Sequence, residues 1–129
     1  IPLRLVGSEM CIRDSYQPQC HGTQWQREQS YYNGSVWPWL LGPYFEACIK
    51  LYGRSAISFI ENTLIGMEEE LQQHGVGTVS ELFDGNPPFK GRGAISFAMS
   101  VGELLRSLAL LEEAKSKYDT QILPIIRYE

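Results

Sequence analysis

Three charged side chains that could take part in acid–base chemistry lie in one segment rich in glycine and proline. Glu81, Asp84 and Arg92 fall within residues 78–93, TVSELFDGNPPFKGRG. The glycines and prolines of this segment are too dense for a helix, and a long loop between helical segments is usually functional or disordered. Its aromatic residues and turn chemistry argue against disorder. A carboxylate on such a loop can serve as a general base, a general acid or a metal ligand. We therefore take this loop as the candidate site, and ask what chemistry Glu81 and Asp84 could do there.

Each of the three also has a structural interpretation that follows from residue type alone. Glu81 could cap a helix, and Asp84 before Gly85 is typical of a turn fixed by the aspartate side chain. Arg92 could form a salt bridge, or it could orient a carboxylate through two parallel hydrogen bonds. The rigid Asp-Gly-Asn-Pro-Pro turn favours a site, because a site needs its side chains held in place.

The segment 31–44, YYNGSVWPWLLGPY, is rich in aromatic residues. Trp37 and Trp39 flank a proline at the predicted start of a helix, and Tyr32 and Asn33 come just before them. Core packing is the usual role of such rings. Flat aromatic faces also stack on sugar rings, while indole, phenol and amide groups bond sugar hydroxyls. Carbohydrate recognition is therefore the functional interpretation of this segment.

Composition and motifs argue against several classes of function. The formal charge of −4 and the pI of about 5.2 give no general attraction for nucleic acid or an anionic membrane. The sequence has no phosphate-binding loop, no Ser/His/Asp signature and no His/Cys cluster with ligand spacing, so we predict no metal and no other cofactor. Three cysteines, an odd number, indicate free thiols in a reducing compartment. No apolar run is long enough to cross a bilayer, and we expect a cytoplasmic location.

Hydrophobic periodicity predicts an all-α fold of antiparallel helical hairpins with long loops. The predicted helices are residues 36–52, capped by Ser35 and stopped by Gly53, then residues 55–74 and residues 94–114. Gly42-Pro43 is expected to kink or restart the first helix, whose apolar stripe is Tyr44, Ala47, Cys48 and Leu51. Residues 16–34 are expected to be irregular, and residues 122–126 suit a short strand or packing against the helices. Residues 1–15 share no pattern with the rest and look foreign, which leaves residues 16–129 as one unit.

Two long stretches resemble one known family. YYNGSVWPWLLGPYFEA is similar to the Tyr-His-x-Gly-Thr-Val-Trp-Pro-Trp-Leu segment in the C-terminal glucosidase domain of glycogen debranching enzymes, the bacterial and archaeal amylo-α-1,6-glucosidases. TVSELFDGNPPFKGRGAISFAMSVGELLR resembles the Ser-Glu-x-Phe-Asp-Gly-Asp-Pro-Pro ending of that domain and the helix that follows it. Both stretches occur in the family's order and spacing, and the resemblance covers residues 16–114.

The resemblance implies a fold, a reaction and roles for particular residues. The family's fold is an (α/α)6 barrel, of which this chain would be the C-terminal fragment. Its reaction is the inverting hydrolysis of α-1,6-glucosidic branch linkages in glycogen or limit dextrin. By motif, Glu81 matches the general base, and the general acid is an Asp upstream of this chain, so the fragment alone is expected to be inactive. The residues expected to contact substrate are Trp37, Trp39, Arg92, Asp84, Tyr32 and Asn33.

The sequence departs from the family's motifs at several positions. Tyr32 and Phe89 stand where the family has His, Asn86 stands where it has Asp, and residues 97–100 read Phe-Ala-Met-Ser in place of Gln-Ala-Trp-Ser. These departures bear on the details of sugar binding and leave Glu81 in place.

Two alternatives remain open on the sequence. One is another (α/α)6 glycosidase, with trehalase-like or mannosidase-like specificity, and the other is a helical carbohydrate-binding module without catalysis. The expected partners are glycogen or a branched α-glucan oligosaccharide and the remainder of the barrel. If the chain is one part of a barrel, apolar helix faces should be exposed when it stands alone.

Overall fold

The fold is seen in a computed structural model of the chain, which describes residues 16–73 and 75–119. It is mostly helical, with one small antiparallel hairpin, so the predicted all-α class is confirmed. The elements in chain order are α1 (Gln24–Asn33), α2 (Leu41–Tyr52), α3 (Ala56–Glu68), α4 (Glu70–Gln73), β1 (Leu82–Phe83), β2 (Gly91–Arg92) and α5 (Ala98–Asp119). Two short 3₁₀ helices, Pro38–Leu40 and Gly53–Ser55, precede α2 and α3.

The first helix was not expected, and the prediction of an irregular segment at residues 16–34 is wrong for Gln24–Asn33. Thr23 and Gln26 form a reciprocal capping box, in which the Gln26 N–H donates to the Thr23 hydroxyl and the Thr23 N–H donates to the Gln26 side chain. The helix has no apolar stripe, and its one buried residue is Ser30, whose hydroxyl donates to the Gln17 carbonyl at 2.7 Å. Periodicity could not reveal it, because α1 is attached through polar contacts.

The second helix begins at Leu41, five residues later than predicted. Ser35 is not its cap, because the Ser35 hydroxyl donates to the Ser30 carbonyl and Val36 pairs with Phe83 in an isolated β-bridge. Gly42-Pro43 lies in the first turn of α2, where proline's missing N–H leaves no hydrogen bond unmade. The predicted stop at Gly53 is confirmed, with φ +55 at that residue.

The buried face of α2 also differs from the predicted stripe. Leu41, Phe45 and Cys48 are buried, whereas Ala47 is exposed and Leu51 is 75% exposed. Cys48 is buried as predicted and Tyr44 packs against the core, so the stripe was right in part; the buried face is centred on Phe45 instead.

The remaining predicted helices are close to the observed ones. The segment 55–74 is α3 followed, after a turn at Glu69, by α4, and His74 lies outside the described residues. The last helix begins at Ala98 because the Phe97 N–H donates to the Val79 carbonyl at 3.0 Å, which ties the preceding segment to a loop. It continues to Asp119, and the segment 122–126 lies outside the described residues.

One core joins α2, α3 and α5. It is formed by Leu41, Phe45, Cys48, Ala56, Ile60, Leu64, Val79, Leu104 and Leu111. Arg106 of α5 bonds Glu46 of α2 at 2.8 Å and the Tyr118 hydroxyl lies beside Gly53, so these two helices run in the same direction. Lys115 pairs with Glu61 at 2.8 Å across α3 and α5.

Some apolar side chains remain on the surface of this bundle. Leu51, Ile65 and Leu105 are 75%, 61% and 62% exposed. The sequence predicts such exposure on the condition that the chain is one part of a barrel. In the part of the chain that the structure describes, no helix has the length and apolar character needed to span a membrane.

Candidate active site

The candidate carboxylate Glu81 lies at the base of the β1–β2 hairpin. The two strands pair antiparallel, with Leu82 opposite Arg92, and the Glu81 N–H donates to the Ala94 carbonyl at 2.9 Å. Leu82 is fully buried, and successive side chains of an extended segment point to opposite sides. The hairpin is therefore held through both of its sides, because Leu82 is buried on one side and Phe83 packs against the core on the other.

Both oxygens of the Glu81 carboxylate accept hydrogen bonds. The Tyr31 hydroxyl donates to Oε1 at 2.8 Å, and the Ala94 N–H donates to Oε2 at 2.9 Å. Gly93 lies directly against the carboxylate at φ +70, and a Cβ on Gly93 would collide with Oε2. The carboxylate is thus an acceptor on both sides, as an ionised carboxylate is.

The contact with Glu81 makes the Tyr31 hydroxyl less acidic. The hydrogen bond with Glu81, then burial, then the negative charge of Glu81 raise the pKa of Tyr31 from 10.0 to about 12. Loss of its proton would place a phenolate against a carboxylate. Tyr31 is therefore a neutral hydrogen-bond donor throughout the physiological pH range.

Three aromatic rings form a cluster beside Glu81. The ring of Tyr31 meets Trp37 edge to face at 4.4 Å and Tyr32 at 5.1 Å between centroids. Tyr32 is 77% exposed and Trp37 is partly buried. The structure thus brings two of the predicted sugar-binding residues, Trp37 and Tyr32, next to the candidate base through Tyr31.

Trp39 and Asn33 lie on the same chain segment but less directly in the cluster. Trp39 is partly buried in the 3₁₀ helix before α2. Asn33 ends α1, and its backbone carbonyl accepts from the Gln17 N–H at 3.3 Å. Their contacts with substrate remain predictions.

Asp84 and Arg92 form a nearly buried ion pair inside the hairpin. Arg92 Nη2 donates to Asp84 Oδ2 at 2.9 Å, and Arg92 Nε bonds both carboxylate oxygens at 3.1 Å. The Cys20 N–H also donates to Asp84 Oδ1 at 2.9 Å. The hydrogen bond with Asp84 raises the pKa of the Arg92 guanidinium.

This ion pair has a structural role in the hairpin. Asp84 is only 1% exposed, and it bonds Arg92 and Cys20 in place of the predicted turn with its own backbone. The predicted contacts of Asp84 and Arg92 with substrate remain predictions.

A strap formed by residues 16–20 connects α1 to the hairpin. The Gly85 N–H donates to the Pro18 carbonyl at 2.7 Å, and the Tyr16 hydroxyl donates to Asn86 Oδ1 at 3.3 Å. With the hydroxyl of Ser30 bonded to Gln17, the strap fixes α1 relative to the hairpin. Phe89, which stands in the same hairpin turn as Asn86, is half exposed.

Sequence reasoning missed Tyr31 and Cys20 as contributors to the site. Tyr31 carries a signal, because it occupies the first position of the aromatic motif, directly before Tyr32. Cys20 carries none, because its contribution is a backbone N–H and any residue other than proline has that donor.

The arrangement suits acid–base chemistry. Among the described residues, no group of three His, Cys, Asp or Glu side chains could hold a metal ion. What the structure offers is one carboxylate held by two donors beside an exposed aromatic surface.

Comparison with known proteins identifies the family. Neither the curated proteins nor the solved structures that were compared with the chain gave a match. A family model described as amylo-alpha-1,6-glucosidase matches residues 11–106, which is most of the chain and includes α1, the aromatic segment and the whole hairpin. The chain therefore belongs to the amylo-α-1,6-glucosidase family.

Proposed function

We propose that this chain is the C-terminal part of a debranching glucosidase that hydrolyses α-1,6-glucosidic branch linkages in glycogen or limit dextrin. The observation that carries the proposal is the Glu81 carboxylate, held by Tyr31 and the Ala94 N–H beside the rings of Trp37 and Tyr32. Family membership supports the glucosidase class.

In an inverting reaction Glu81 acts as the general base. It removes a proton from a water molecule, the water oxygen attacks the anomeric carbon, and the glycosidic bond breaks on the opposite face of the sugar. A carboxylic acid on that face gives its proton to the departing oxygen. Because the two groups act on opposite faces, they must come from opposite sides of the bound sugar.

The general acid belongs, in this proposal, to a segment that precedes the present chain. The other carboxylate of the hairpin, Asp84, is buried and paired with Arg92, so it is not placed to protonate a leaving group. The chain alone is then inactive, and residues 16–129 are the last part of an (α/α)6 barrel. The exposed Leu51, Ile65 and Leu105 suit contacts with the rest of that barrel.

Substrate binding in this scheme uses aromatic stacking and a few polar groups. Trp37, Trp39 and Tyr32 would stack on glucose rings, and Asn33 and Arg92 would bond hydroxyls. Asp84 would act through Arg92. No cofactor takes part in the reaction, and a cytoplasmic location matches a glycogen substrate.

The proposal is tested with Glu81→Gln in the full-length protein that carries this chain. Glucose released from a branched limit dextrin should fall roughly 100- to 10,000-fold, the usual contribution of a general base. The matched control is Glu68→Gln, because Glu68 is exposed at the end of α3 and should tolerate the change. A melting curve checks that both variants fold.

Three outcomes contradict parts of the proposal. Wild-type turnover in Glu81→Gln removes Glu81 from the role of base. Glucose release from trehalose, or sugar release from a mannoside, in preference to limit dextrin favours another (α/α)6 glycosidase. Oligosaccharide binding without any turnover in the wild-type protein favours a carbohydrate-binding module.

A further inference from the structure

Tyr31 makes a contact that neither its sequence position nor family membership assigns. It lies near the end of α1, fifty positions before Glu81, and its hydroxyl donates to Glu81 Oε1 at 2.8 Å. Its neighbour Ser30 is fully buried and bonded to the Gln17 carbonyl, so the backbone that carries Tyr31 is anchored.

We propose that Tyr31 is the positioning residue of the general base: it holds the Glu81 carboxylate in the one orientation that faces the attacking water. This inference rests on the proposed function of Glu81. A carboxylate at the end of a glutamate rotates readily about its last bond. Two donors from different elements, Tyr31 from α1 and Ala94 from the segment after β2, define its plane. Each oxygen keeps a second lone pair with which to accept a proton from water.

The ring of Tyr31 is itself held in position. Trp37 packs edge to face on it at 4.4 Å with an interplanar angle of 86°. The residue before Trp37, Val36, exchanges backbone hydrogen bonds of 2.9 and 2.8 Å with Phe83. Since Phe83 is two residues beyond Glu81, this bridge fixes the aromatic segment to the catalytic hairpin close to the Tyr31–Glu81 bond.

This geometry gives Trp37 a second role. Besides offering a face for a sugar, it prevents the Tyr31 ring from turning away from Glu81. The aromatic motif therefore acts on the base as well as on the substrate. The titratable groups that interact with Tyr31 are Glu81, Tyr32 and Cys20, and Glu81 makes the largest contribution.

The test is Tyr31→Phe in the full-length enzyme, with kcat and KM measured on limit dextrin. Phenylalanine keeps the ring packing and removes only the hydroxyl. We expect kcat to fall roughly 10- to 100-fold with KM nearly unchanged, because a hydrogen bond to a charged group is lost from the base. A loss confined to kcat is what a misplaced base produces, whereas a lost contact with the bound sugar would raise KM.

The control is Tyr52→Phe, because Tyr52 is an exposed tyrosine at the end of α2, away from the cluster. In a Glu81→Gln background, Tyr31→Phe should cause no further loss of activity, since there is no base left to position. A second variant carries 3-fluorotyrosine at position 31. Its phenol is a donor of nearly the same size, so the bond to Glu81 is kept and kcat should stay close to the wild-type value.

The outcomes separate this inference from the function on which it depends. If Glu81→Gln is inactive but Tyr31→Phe has wild-type kcat, the positioning role is overturned and the proposed base stands. If Tyr31→Phe lowers activity by the same factor in the wild-type and Glu81→Gln backgrounds, Tyr31 is only structural and the inference fails. If Tyr31→Phe does not fold, a large loss of kcat in the fluorotyrosine variant, which keeps the hydroxyl, overturns it. Full activity in Glu81→Gln overturns the proposed base itself.

Discussion

Replacing Arg92 with methionine should destabilise the hairpin that carries Glu81. Arg92 hydrogen-bonds both carboxylate oxygens of Asp84. The side chain of Asp84 is 2% exposed, and that of Arg92 is 24% exposed. Methionine retains much of the arginine stem and removes the guanidinium. The Asp84 carboxylate would then stay buried, with the Cys20 N–H as its remaining hydrogen-bond donor among the described residues.

The size of the effect follows from the burial of the two partners. Removing one partner of a buried ion pair costs about 3–5 kcal/mol, because the remaining charge is uncompensated. Arg92 is one quarter exposed, so water can reach part of the vacated space, and the lower end of about 3 kcal/mol applies. For a domain of this size that loss lowers the melting temperature by about 10 °C.

Urea unfolding of the chain, followed by circular dichroism, measures the loss. The control is Arg54→Met, because Arg54 is exposed in the short 3₁₀ helix before α3 and should change stability by less than about 0.5 kcal/mol. The double variant Asp84→Asn with Arg92→Met should recover part of the lost stability, since no buried charge remains. A loss in Arg92→Met no larger than that in Arg54→Met would show that the ion pair does not hold the hairpin.

Two further predictions concern the immediate surroundings of Glu81. Gly93→Ala should lower both the unfolding free energy, by about 2 kcal/mol, and glucose release, because a Cβ at φ +70 is strained and would also displace the Glu81 carboxylate. Gly77→Ala is the control, since Gly77 has φ +72 with open space around it; equal effects on activity in the two variants would contradict the prediction. Tyr31 has a pKa of about 12 in the fold against 10.0 ordinarily, so its protonated form stabilises the fold fully below pH 10, and this contribution is lost as pH rises through 12. The stability difference between wild type and Tyr31→Phe, roughly 1–2 kcal/mol at pH 8, should therefore shrink by pH 12 in urea titrations, and a constant difference would contradict it.

Much of the helical architecture was predictable because it depends on contacts between near neighbours. The apolar period of α3, the stop at Gly53 and the exclusion of a helix from residues 78–93 were read correctly, whereas Leu105 of α5 is exposed and Ser107 is buried. Helical hydrogen bonds join residues four apart, and glycine and proline act on their own backbone. Residues close together in the sequence therefore determine these features.

The errors fall where tertiary contacts override local preference. Ser35 is a good cap by type, yet Val36 is drawn into a bridge with Phe83, which delays α2 to Leu41. The α1 helix has polar anchors, so a search for apolar periodicity passes over it.

For the site, the sequence by itself determined the candidate base Glu81 and the two motifs around it, because residue type and spacing are enough to recognise them. Only the tertiary structure decided that Tyr31 holds Glu81 and that Asp84 holds Arg92. The first of these contacts joins residues fifty positions apart, and the second depends on how the hairpin closes. The packing of α1 against the hairpin, through the strap, sets which donor meets which acceptor. A pattern of neighbouring residues cannot encode contacts between residues so far apart in the chain.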